Sequence, residues 1–171
     1  MVNKNTILGA TCLAMSVLVA SPVQAQVTDT TTFNVLIEII ESCSISDITA
    51  TDVDYGTHAR NAATDVEAEG TLHVNCTLDT AYNIGLNEGL YASSIPASAT
   101  NRQMASGTDR VPYGLYRDAA HTLFWGDEIG TNTLAGTGTG VSEDIPVYGL
   151  APSTDYPPGS YSDTVTATIT Y

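Results

Sequence analysis

Short runs in which apolar residues recur at every second position, broken by Gly, Pro, Asn and Asp, fill the chain from about residue 30 onward. No window keeps a 3.6-residue apolar period over three turns, so the pattern predicts an all-β fold. The clearest run is 161–171. There Tyr161, Val165, Ala167, Ile169 and Tyr171 share one face, and Ser162, Thr164, Thr166, Thr168 and Thr170 share the other. Asp163 interrupts the apolar side near the start of that run. Further strands are predicted at 53–57, 70–78, 81–86, 111–117, 122–125 and 144–150, separated by turn signals such as Asn87-Glu88-Gly89 and Pro157-Pro158-Gly159. Seven or so short strands point to a sandwich. Residues 135–140 hold three glycines and two threonines, offer little to pack, and are predicted to be a flexible loop. They lack the lysine and following helix of a phosphate-binding loop.

The most informative segment is 33–40, Phe33-Asn34-Val35-Leu36-Ile37-Glu38-Ile39-Ile40. Phe33, Val35, Ile37 and Ile39 fall on one side of an extended chain. At roughly 1.5–3 kcal/mol per large apolar side chain, burying the four contributes on the order of 6–12 kcal/mol as an upper bound. A strand with such a face pairs with something, in its own domain or in another molecule.

Ahead of it, residues 1–25 carry Lys4, an apolar stretch over 7–20, and small residues before a cut expected after Ala25. That is the pattern of a secretory signal peptide. An apolar stretch of about 14 residues falls short of the roughly 20 that a spanning helix needs. Without the leader, the cations are Arg60, Arg102, Arg110 and Arg117, with no lysine, against 19 acids, a formal charge of −15. Such a chain is repelled by nucleic acid and by anionic membrane surfaces. Cys12 leaves with the leader, so Cys43 and Cys76 remain as a pair. In an exported protein an even pair is expected to form a disulfide, which stabilises by roughly 3–4 kcal/mol in the chain-entropy picture. Two cysteines with no nearby CxxC or paired histidine supply too few ligands for a metal.

From Phe33 to Tyr171 the chain resembles the spore coat protein U domain family, whose members include shaft subunits of archaic, Csu-type chaperone–usher pili. The resemblance is carried by the alternating strand leading into Ser42-Cys43, by Val53-Asp54-Tyr55-Gly56-Thr57, and by Gly70-Thr71-Leu72-His73-Val74-Asn75-Cys76-Thr77. It continues through Arg102-Gln103-Met104, Tyr113-Gly114-Leu115-Tyr116-Arg117-Asp118, Trp125-Gly126-Asp127, Val147-Tyr148-Gly149 and the ending from Gly159 to Tyr171. It implies an incomplete immunoglobulin-like sandwich, completed by a donor strand from a neighbouring subunit. The implied organisation is a signal peptide at 1–25, a donor-strand extension at 26–41 and a pilin domain at 42–171. Phe33, Val35, Ile37 and Ile39 are then the donor plugs, and Val165, Ala167, Ile169 and Tyr171 form a wall of the acceptor groove. The implied partners are other copies in a fibre, a periplasmic chaperone, an outer-membrane usher and a tip subunit. The implied location is an extracellular pilus, reached through the periplasm and serving attachment and biofilm formation.

No catalytic or cofactor motif competes with this expectation. His58, His73 and His121 are isolated in sequence, with no HExxH and no GxSxG elbow. His73 is expected within a strand, and His58 and His121 beside turns in solvent. The acidic clusters lack the spacing of a calcium loop. The reading from a different class is a secreted, monomeric glycan-binding or adhesive sandwich, with surface aromatics such as Tyr91, Tyr156 and Trp125 stacking on sugars.

Overall fold

The computed structural model describes residues 27–45, 50–60, 64–95, 98 and 101–171. The expected leader lies outside them. The chain divides into two units, Met1–Ile37 and Glu38–Tyr171. The described residues of the second unit carry nine strands and no helix: β1 (Cys43–Ser44), β2 (Val66–Cys76), β3 (Ala81–Leu86), β4 (Gln103–Ser106), β5 (Asp109–Pro112), β6 (Gly114–Tyr116), β7 (Leu134–Thr137), β8 (Ser142–Ala151) and β9 (Ala167–Thr170). They form a four-stranded sheet in the order β1-β2-β8-β6, a three-stranded sheet β7-β3-β9, and the hairpin β4-β5.

Alternation explains the pairing. Val66, Val74 and Cys76 of β2 turn inward, as do Val147 and Ala151 of β8, and the two strands run antiparallel from Val66↔Ala151 to Asn75↔Ser142. In the other sheet Tyr82, Ile84 and Leu86 of β3 are buried and join the same apolar cluster, with Trp125 fully buried among them. The indole Nε1–H donates to the Ile84 carbonyl at 2.8 Å, which satisfies the one polar atom that Trp125 carries inside. The expected disulfide is present, joining Cys43 to Cys76 at 2.02 Å and tying β1 to the end of β2.

Several predicted elements come out differently. Residues 53–57 form no strand. Thr51 makes a single bridge to Thr71, after which Val53 and Tyr55 pack over two inward-facing glycines. A methyl on Gly70 would fall 2.7 Å from the Thr51 carbonyl oxygen and 2.8 Å from Val53, and one on Gly149 would fall 2.5 Å from Val53 and 2.6 Å from the Tyr55 hydroxyl. Gly70→Ala is therefore expected to cost about 1–3 kcal/mol through overpacking, read as a lower urea midpoint.

The loop expected at 135–140 is in part a strand, because β7 pairs with β3 from Ala81↔Thr137 to Ile84↔Leu134. Its glycines allow close approach: a methyl on Gly136 would collide with the Tyr82 ring, and one on Gly138 with the Thr77 carbonyl. The run 111–117 splits at Tyr113, because β5 pairs with β4 as far as Pro112 while β6 leaves that hairpin to pair with β8. Residues 122–125 contribute one bridge, Tyr116↔Phe124. Here the Asp118 carboxylate accepts the N–H groups of Thr122 and Leu123 and the Thr122 hydroxyl, bonds that hold its pKa below the usual value. His121 is not solvated: its side chain is 10% exposed and its ring stands edge-on to Tyr116 at 5.2 Å. Trp125 is fully buried and unavailable to a sugar.

Candidate functional site

Two features of the described chain stand out. The first is an open groove of about 810 Å³ in the second unit. Leu86, Val111, Leu115 and Val147 line it together with Val53 and Tyr55, and β9 contributes Ala167, with Val165 just before it. β9 stands at the end of its sheet. It bonds to β3 on one side, from Asn83↔Thr170 to Leu86↔Ala167, and to no strand on the other among the described residues. An edge of this kind leaves backbone N–H and C=O groups free beside an apolar hollow.

The second feature is the segment ahead of β1. Residues 27–42 form no strand, helix or turn. Phe33 is 84% exposed, and Val35, Ile37 and Ile39 are each 85% exposed. Leu36 and Ile40 are exposed as well. Large apolar side chains left in water at this density, in the alternation of a strand, mark a surface made for covering.

Of the four residues expected to wall the groove, Val165 and Ala167 line it. Ile169 sits opposite Ile84 and packs against the core, while Tyr171 follows the last paired residue and is 59% exposed. Asp163, the interruption in the apolar face, has a structural explanation. Its Oδ2 accepts the Tyr113 hydroxyl at 2.6 Å, and its Oδ1 accepts the N–H groups of Leu90 and Thr164. Burial, and then the bond to Asp163, push the Tyr113 hydroxyl pKa well above its usual value. Both residues line the groove, so this pair is its built polar point. Tyr113→Phe removes a bond to a charged acceptor and is expected to cost roughly 1.5–3 kcal/mol, measured by urea unfolding. Asn87, just past β3, holds the lead-in to β9 from its paired side: its N–H donates to the Thr166 carbonyl, and its side-chain Oδ1 accepts the Thr166 N–H at 2.8 Å.

The groove's charged lining consists of Asp52, Asp54, Asp163 and Arg60, and Arg60 is paired with Asp155 at 2.6 Å. Among the described residues no group of three or more His, Cys, Asp or Glu is placed to hold a metal ion.

The Spore Coat Protein U domain model matches residues 29–168. The chain belongs to that family. A relative, "Protein U" of Myxococcus xanthus, is 36% identical over 176 residues, covering 97% of each chain. Among solved structures, the fold is similar to the CsuC–CsuE chaperone–tip adhesion subunit pre-assembly complex from archaic chaperone–usher Csu pili of Acinetobacter baumannii. The TM-score is 0.53 at 21% identity over 78% of this chain. The chain spans 40% of the length of that solved chain. The Spore Coat Protein U domain here is thus all-β and shares the fold of part of one chain of that complex.

Proposed function

We propose that the chain is a structural subunit of an archaic chaperone–usher pilus, polymerising head to tail by strand donation. Phe33, Val35, Ile37 and Ile39 of one copy fill the groove of the next, and the added strand bonds to the free edge of β9 beside Val165 and Ala167. The observation that carries this reading is the pairing, in one chain, of an exposed alternating apolar segment with an open apolar groove at a sheet edge. A contact between two different surfaces of the same molecule does not close on itself, so it generates a fibre. Before assembly a periplasmic chaperone covers the groove, and an outer-membrane usher and a tip subunit complete the pathway. That step is supported by the chaperone-bound state of the solved pilus complex of similar fold. Attachment and biofilm formation are the service that such a fibre performs outside the cell. The formal charge of −15 on the chain without its leader keeps unassembled subunits and finished fibres apart at low salt.

Deleting residues 26–40 separates this from a self-contained secreted module. The shortened chain is expected to accumulate as a folded, chaperone-bound subunit that gives no fibres by negative-stain electron microscopy, while the full chain gives fibres one small domain wide. A full chain that stays a dispersed, stable monomer in the presence of its export machinery would sink the proposal.

A further inference from the structure

Ser42 is where the extension enters the strand framework. Its carbonyl accepts the Thr77 N–H at 2.9 Å, its own N–H donates to the Thr77 hydroxyl at 3.2 Å, and the Cys43–Cys76 bond follows one residue later. The exit point is therefore fixed to the end of β2. Ile39, the last plug, lies three residues before it. Three residues span at most about 10–11 Å when fully extended. A copy holding Ile39 in its groove must begin within that distance of Ser42.

Two exposed aliphatic side chains stand at this corner. Leu78 is 67% exposed and Val141 is 63% exposed. The turn and the loop that carry them are laced together: the Asp79 N–H donates to the Gly138 carbonyl at 2.8 Å, and the Gly140 N–H donates to the Cys76 carbonyl at 3.0 Å. Gly140, the residue before Val141, sits against Leu78. A shallow hollow of about 330 Å³ opens beside them, lined by Ser42, Cys76, Thr77, Leu78 and Gly140 among others. One exposed aliphatic residue on a surface is ordinary. Two on a laced corner, beside a hollow that includes the exit residue itself, lie where strand donation forces copies together.

We propose that Leu78 and Val141 make a second contact between consecutive copies, packing on the copy that receives the extension and fixing the angle between the two. This rests on the head-to-tail reading above. The short tether supplies proximity, so the second contact forms at high effective concentration and needs little intrinsic affinity.

The test compares fibres of the full chain, of a Leu78→Asp/Val141→Asp variant and of Leu123→Asp, which alters an exposed leucine elsewhere. Helical reconstruction by cryo-electron microscopy reads the twist. The double variant is expected to form fibres with the extension still seated in the next groove but with the single twist lost, while Leu123→Asp keeps it. In a second arm, a photoreactive benzophenone side chain replaces Leu78, and irradiated fibres are expected to give covalent dimers and higher ladders. An unchanged twist in the double variant, no copy-to-copy adduct in fibres, or failure of a folded double variant to polymerise would each overturn the proposal. Failure of strand donation itself has a different signature: no fibres from the full chain, or fibres in which each copy retains its own extension.

Discussion

An Ile37→Asp chain is expected to fold, reach its chaperone-bound state and then fail to polymerise. In the proposed assembly Ile37 is the third of four plugs; the side chain is 85% exposed in the single chain, so the substitution takes no buried group from the folded domain. In the groove the change is twofold. The isoleucine's burial, roughly 1.5–3 kcal/mol, is lost. In the proposed assembly a carboxylate must also leave water for a groove whose own charged lining includes three aspartates and one arginine, at an effective cost of several kcal/mol per buried ion. At about 1.4 kcal/mol per factor of ten, the two together weaken the contact by three or more orders of magnitude. In the proposed assembly the main-chain bonds to the edge of β9 are the same for both chains, so they cannot rescue the variant. Side-chain burial decides the outcome.

Asn34→Asp provides the matched control. Alternation places residue 34 on the opposite side of the strand from the plugs. The same added charge there is expected to leave fibres intact by electron microscopy, with at most a salt-dependent change in yield. Equal loss of fibres in both variants would mean that net charge, not plug burial, controls assembly. Loss in Asn34→Asp alone would place the wrong face in the groove.

The sequence pattern was most readable where one period ran unbroken against one core. The run 81–86 matches β3 residue for residue, and the Cys43–Cys76 pairing followed from compartment and parity. Legibility failed where a neighbour set the conformation. Val53 and Tyr55 alternate like strand residues, yet they settle over Gly70 and Gly149, whose missing side chains belong to strands far along the chain. Residues 135–137 offer little of their own to bury, and their place in the sheet depends on how closely Gly136 lets the backbone approach Tyr82. The groove itself was legible only by subtraction. An orphan strand with four plugs implies a slot, but which residues line that slot depends on how nine strands are shared among the sheets. Val165 and Ala167 reach it, while Ile169 is held opposite Ile84 and Tyr171 lies past the last pair.

Arg102 is the residue whose role sequence reasoning could not reach, and its replacement is expected to have the largest effect on the domain. Arginine in an acidic chain reads as a surface cation, yet this one is fully buried. Its Nε and Nη2 donate to the Asn87 carbonyl, Nη2 donates also to Leu86, and Nη1 donates to Trp125 at 2.9 Å. The Phe124 ring lies 5.1 Å from the guanidinium carbon. One side chain thus ties the end of β3 to the Trp125 segment from the start of β4. Burial draws its pKa down from the usual range, opposed by Tyr113 and the nearby carboxylates Asp127, Asp163 and Glu88. Even so, a guanidinium stays charged throughout the physiological range. Arg102→Met leaves three carbonyls without this donor, at about 1–3 kcal/mol for each that stays buried and unpaired. The total is a large part of the roughly 5–15 kcal/mol that holds a domain of ordinary size together. We expect the variant to lose most of its folded yield and its urea midpoint to fall steeply. Arg102→Lys restores the charge but not the planar fork that reaches carbonyls on separate segments, so it is expected to recover only part of the loss. Full recovery by lysine would mean that the cation, and not its geometry, holds the segments together. A methionine variant within about 0.5 kcal/mol of the parent chain, the scatter of ordinary surface substitutions, would mean that water takes over the three carbonyls.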